Sequence, residues 1–178
     1  MRSLRTMVIA LALVALATGF AIAQTTPDPA MQEAREETAV VFDLGRVFGF
    51  IRTMEEEDAS LRLDADQIRE LYVIMTSIRQ IERMEPDQAD EWLAQIEDEI
   101  LTVKQLMYVD QLYLARSRTS QSGSGTGAGN GAGGSATGES TGSIATYVAG
   151  GKFNPILDTG KSMGQDFASY YEQLGGRR

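Results

Sequence analysis

The sequence predicts an all-α protein: about four amphipathic helices forming a small bundle or bent helical hairpins, then a Gly/Ser-rich linker and a short tail able to form one more helix. Three observations lead there. Apolar residues recur at three- and four-residue steps through residues 28–118, the mark of a helix with one buried face. A five-residue helix-start pattern occurs three times in that stretch. Residues 119–143 are almost wholly Gly, Ser, Thr and Ala, with nine of the chain's 18 glycines, and such a composition reads as a flexible linker.

Asp28-Pro29 opens the first helix with a capping side chain and a proline at the first helical position. Its stripe is Val40, Leu44, Val47, Phe48, Ile51 and Met54. Gly45 and Gly49, one turn apart, weaken the helix by up to ~1 kcal/mol each, so they predict a close approach by another helix, a bend or a break there, with close packing preferred. The repeated start reads Leu63-Asp64-Ala65-Asp66-Gln67, Met84-Glu85-Pro86-Asp87-Gln88 and Leu101-Thr102-Val103-Lys104-Gln105. Physically it is a capping box with a hydrophobic staple. The side chain of Asp64 or Thr102 accepts a hydrogen bond from the new helix, Gln67 or Gln105 reaches back to the cap, and Leu63 or Leu101 packs on the first turn. The helices after these starts carry Ile68, Leu71, Tyr72, Met75 and Ile78, then Ala89, Trp92, Leu93, Ile96 and Ile100, then Leu106, Met107, Tyr113 and Leu114. The last is apolar on a second side as well, through Tyr108, Val109 and Leu112. Those three, with Phe167, Tyr170 and Tyr171 of the tail, are the candidate partner-binding residues. In the tail, residues 144–178, Asn154 is the expected cap, Pro155 the first residue, and Ile156, Met163, Phe167, Tyr170 and Leu174 the stripe.

Composition excludes several functions. The 178 residues carry 16 Lys+Arg against 25 Asp+Glu, a net charge of −9, with no cysteine and no histidine. Disulfides, Cys/His zinc sites, cysteine nucleophiles and Ser-His-Asp triads are therefore impossible. So acidic a chain is not expected to bind nucleic acid, which is held largely by Lys and Arg. Arg2 and Arg5, the apolar run Met7–Ala17 and Ala21-Ile22-Ala23 read as the three parts of a signal peptide, residues 1–23, with a retained membrane anchor as the alternative. Cleavage there leaves residues 24–27 as a short extension. It also leaves 14 basic against 25 acidic residues, a charge of −11, so stable membrane binding is not expected of the mature chain. The expected location is the periplasm, with full secretion as the alternative.

The chemical motifs are formal only. Gly129-x-Gly131-x-x-Gly134 has neither a strand before it nor a helix after it, as a dinucleotide site requires. Gly160-Lys161-Ser162 lacks the earlier glycine of a phosphate loop, since position 155 is proline. Glu55-Glu56-Glu57-Asp58 with Asp64 and Asp66 lacks the frame of a calcium loop and reads as a solvated charge run. No residue set supports catalysis, a cofactor or a metal. The chain is read as non-enzymatic.

Leu101-Thr102-x-x-Gln105, with its near copy Leu63-Asp64-x-x-Gln67, resembles the motif of the periplasmic LTxxQ family of small helical envelope-stress proteins. The resemblance spans residues 28–118 and extends to the leader, the size and the lack of cysteine. It implies a curved helical dimer that binds unfolded or aggregating proteins without ATP. Two functions are accordingly expected. One is an exported helical protein binding other envelope proteins, as a holdase or with a second copy of itself. The other is an adaptor of an envelope assembly whose tail is a tethered docking segment.

Overall fold

The computed structural model describes residues 28–122 and 143–178. The expected signal peptide, the extension 24–27 and linker residues 123–142 lie outside them. All the long elements are helices, in the order α1 (Pro29–Glu37), α2 (Ala39–Glu57), α3 (Ala65–Gln80), α4 (Pro86–Ala94), α5 (Val103–Ser122), α6 (Ile144–Val148) and α7 (Ser162–Gly175). A 3-10 turn at Ala59–Leu61 precedes α3, a π turn at Gln95–Ile100 extends α4, and a 3-10 turn at Pro155–Leu157 precedes α7. No strand occurs among the described residues; Arg83 and Phe153 form an isolated parallel bridge.

The expected starts form as read. Asp28 Oδ1 accepts from Ala30 N at 3.0 Å, and Asp64 Oδ1 from Gln67 N at 2.9 Å. Glu85 makes no side-chain cap, and Pro86 alone marks the start of α4. The first expected helix is two. At Thr38 the buried side chain donates Oγ1 to Ala34 O at 2.6 Å, and this back-bond from a β-branched residue bends the chain between α1 and α2. The linker boundary also moves, since α5 runs to Ser122, past residue 118.

The core is built around α2, which packs against α4, α5 and α7 at once. Val41, Leu44, Val47, Phe48, Phe50, Ile51 and Met54 are all buried on it. A helix apolar around so much of its circumference is stable only when surrounded. The tail supplies part of that surround. Phe153, Ile156, Phe167, Tyr170 and Leu174 are buried in the same cluster, and Phe48 meets Phe167 edge-on at 5.2 Å. The glycines of α2 serve the expected close approach: a Cβ at Gly45 would run into Met163, and one at Gly49 would touch Asp166. Gly164 is needed for a different reason, because its Cβ would fall on the backbone carbonyl of Asp158.

Two expectations for the tail are corrected. Asn154 does not cap a helix of its own. Its Nδ2 donates to Ile78 O at 3.0 Å and Ile81 O at 2.9 Å, closing the C-terminus of α3 instead. The tail is also not a separate docking segment. Its stripe faces this chain's own core, so Phe167 and Tyr170 are not available as partner-binding residues.

The five large tail side chains together contribute about 10 kcal/mol of burial, at about 1.5–3 kcal/mol each, which is comparable with a domain's whole stability. A chain ending at Arg118 is therefore expected to lose its cooperative thermal transition, followed by circular dichroism at 222 nm. A transition within a few degrees of that of residues 24–178 would show that the tail is dispensable.

Candidate functional site

The capping residues read from the sequence meet one another. The N-termini of α3 and α5 abut, and Gln67 and Gln105, both buried, pair reciprocally. Gln67 Nε2 donates to Gln105 Oε1 at 2.8 Å, and Gln105 Nε2 donates to Gln67 Oε1 at 3.3 Å. Each also reaches back to its own cap, Gln67 Oε1 accepting from Asp64 N at 3.0 Å and Gln105 Oε1 from Thr102 N at 2.8 Å. Each amide donates its second hydrogen across the seam, Gln67 to Ile100 O at 2.6 Å and Gln105 to Leu61 O at 3.0 Å. Both amides thus use every donor and acceptor they have. Leu63 and Leu101 are buried beside them, as staples should be. The third copy, at Gln88, does not join the pair.

This pairing decides which side of α5 faces inward. At 100° per residue, Gln105, Val109 and Leu112 lie within about 60° of one another. Val109 is buried, and Leu112 and Tyr108 are half-buried. Of the expected inward stripe, Leu106 is half-buried against the core, but Met107 is 58% exposed, Leu114 52% and Tyr113 40%, with Val103 at 75%. Val109 and Leu112 are therefore corrected from an outer to an inner face. Tyr108 donates to Glu57 Oε2 at 2.6 Å across to α2. Val103, Met107 and Leu114 fall within about 40° on the opposite side and form an uncovered apolar stripe, interrupted between Met107 and Leu114 by the exposed Asp110 and Gln111.

Beside that stripe lies a cavity of about 230 Å³, floored by Val47, Phe50, Leu93, Val109 and Tyr113. Asp43, Glu97 and Asp110 stand at its edge. Burial, then repulsion from Asp110, raises the Glu97 carboxyl above its ordinary value.

Sequence reasoning missed two polar clusters. Glu55, read as part of a solvated run, is 3% exposed. Its Oε1 accepts from Leu63 N at 2.9 Å, its Oε2 from Tyr170 Oη at 2.9 Å, and Arg177 Nη1 reaches both oxygens at 2.9 and 3.0 Å. The signal was present, since Glu55 comes seven residues after Phe48 and four after Ile51, on the apolar face. Burial and the Glu55 carboxylate push the Tyr170 phenol far up, so it stays protonated.

The second cluster joins α3 to α7. The rings of Tyr72 and Tyr171 stack at 4.6 Å, with the Arg79 guanidinium 4.3 Å over Tyr171 and that of Arg178 4.0 Å over Tyr72. Tyr72 Oη donates to Tyr171 Oη at 2.7 Å. The hydrogen bond with Thr76 and the one donated by Tyr72, assisted by Arg79, pull the Tyr171 phenol down to about 8. The bond it donates holds Tyr72 up. Tyr171 is thus placed at a seam within the chain, half-buried against its own α3.

Among the described residues no group of three or more carboxylates is arranged to hold a metal ion, and no helix is long and apolar enough to cross a membrane. No family model matches the chain, and no curated protein or solved structure is significantly similar to it. The LTxxQ resemblance accordingly rests on Leu101, Thr102 and Gln105, with Leu63 and Gln67 as the near copy.

Two outcomes are expected. Gln67→Ala and Gln105→Ala each strand buried backbone partners and should cost about 1–3 kcal/mol in urea unfolding. The double variant should cost less than their sum by at least about 0.5 kcal/mol; strictly additive losses would show that the pair does not couple. Absorbance titration at 295 nm should show one of the six tyrosines ionising near pH 8, a step removed by Tyr171→Phe. Because ionisation is easier in the folded state, the Tyr171 contribution to stability grows as pH rises from about 8 towards 10, and that of Tyr72, whose phenol is held up, is lost only above pH 10. A first ionisation near pH 10 would contradict the arrangement.

Proposed function

We propose that this chain is an exported, non-enzymatic helical protein that binds other proteins of the cell envelope, acting without ATP as a holdase. The observation that carries the reading is the uncovered apolar stripe of Val103, Met107 and Leu114 on α5. Exposed apolar residues aligned along one helix face, rather than scattered, favour a protein partner. Methionine at the centre of such a stripe suits varied partners, because its unbranched thioether repacks easily. The carboxylates of Asp43, Glu97 and Asp110 beside it favour segments that also carry basic side chains. The leader and the LTxxQ resemblance support the location and the class of activity. The adaptor reading, in which the tail reaches a second partner, loses its support because the tail is core.

The test is light scattering from a chemically unfolded client, with residues 24–178 at near-stoichiometric ratio and no nucleotide. Suppression of scattering is expected, and Met107→Ser with Leu114→Ser should weaken it several-fold. Both positions are exposed, so the substitutions should shift stability by no more than about 0.5 kcal/mol each. No suppression at several-fold excess sinks the holdase reading. Full suppression by the double variant would move the binding surface away from α5. A molar mass of two chains that falls to one in the double variant would make the occupant a second copy.

A further inference from the structure

Between α3 and α7, away from α5, lies a half-open cavity of about 430 Å³, a size typical of small-molecule sites. Its walls are mostly apolar, formed by Leu157, Phe167, Ala168 and the rings of Tyr72 and Tyr171. Gly164 and Gly175 also line it. A Cβ at Gly175 would touch the Tyr72 ring at 3.4 Å. The polar groups are few and converge at the rim: the Arg79 guanidinium, Thr159 and the exposed carboxylate of Glu172.

Arg79 is exposed and forms no ion pair among the described residues. Its guanidinium is instead held over the Tyr171 ring, which fixes its position while leaving its N–H groups able to meet an acceptor. The ring faces that would attract a cationic ligand are already covered by Arg79 and Arg178. Of the charged groups at the rim, Arg79 stands over the Tyr171 ring, where an acceptor carried by a ligand in the cavity can meet it.

We propose that this cavity binds a small apolar carboxylate, with its hydrocarbon or aromatic body against Leu157, Ala168 and the edges of the Tyr72 and Tyr171 rings and its carboxylate on Arg79. The site is separate from the α5 stripe and does not depend on the holdase reading.

The probe is 4-phenylbutyrate, compared with the neutral 4-phenylbutan-1-ol, each titrated calorimetrically at pH 7 into residues 24–178. The acid should bind saturably and about tenfold or more tighter than the alcohol. Arg79→Gln should bring the acid down to the level of the alcohol, with an unchanged thermal midpoint because the side chain is exposed. Ala168→Leu, which fills the cavity, should weaken both ligands about tenfold. Equal binding of acid and alcohol, binding of the acid unchanged in both variants, or no saturable heat up to about 10 mM would each overturn the proposal.

Discussion

A helix whose buried side chains span about half its circumference needs cover from several elements at once, and α2 is that helix here. Its residues Val41, Leu44, Phe48 and Ile51 are completely enclosed, which α4 and α5 alone do not achieve. The remaining side is filled by α7 and the turn before it, and this is why a tail separated by 20 Gly/Ser-rich positions returns to the bundle. The two glycines of α2 answer the same demand. With no side chain at Gly45 and Gly49, α7 lies against the α2 backbone through Met163 and Asp166, and Arg52 secures it through Asp166 at 2.8 Å. The helix-propensity cost of about 2 kcal/mol for the two glycines is small beside the burial the tail provides.

The second constraint is the paired amide junction. A glutamine buried without partners costs more than the capping it provides. Gln67 and Gln105 escape that cost only by meeting each other. Once they meet, the rotation of α5 is fixed: the side carrying Gln105 and Val109 turns inward, and Met107 and Leu114 turn outward. An apolar stripe is left uncovered because a polar pair had the stronger claim on the interior. A surface available to a partner thus arises from the same motif that starts the helix.

Much of this was legible in the sequence. Helix starts at Asp28, Asp64, Pro86 and Thr102, the stripes of α2 and α3, and the close approach at Gly45 all come from local rules, because caps, staples and glycines act within one turn. The features that were not legible depend on partners distant in the chain. The facing of α5 requires knowing that residue 105 meets residue 67. The role of Asn154 requires knowing that the end of α3 lies beside it. Trp92, expected in the core, packs against it but is only half-buried, with the exposed Val73 nearby. Glu55 is the instructive case, because its position on the apolar face pointed inward while its three acidic neighbours pointed to solvent.

The seam between tail and bundle differs in kind from the rest of the core. Beneath it the apolar side chains supply the energy, but near the C-terminus of α7 its two sides are closed by polar groups, Glu55 with Arg177 and Tyr170 on one and the Tyr72–Tyr171 stack on the other. A buried ion pair adds little net stability compared with an apolar replacement, yet losing one partner costs about 3–5 kcal/mol. Such groups therefore discriminate strongly between the correct docking of α7 and a slipped one. A slip by one turn would leave Glu55 buried without Arg177 and Tyr171 without Thr76. The apolar stripe of α7 alone, repeating every three or four residues, cannot make that distinction. Register here is set by charge and hydrogen bonding, and the cavity beside Arg79 has a defined shape because the register is fixed.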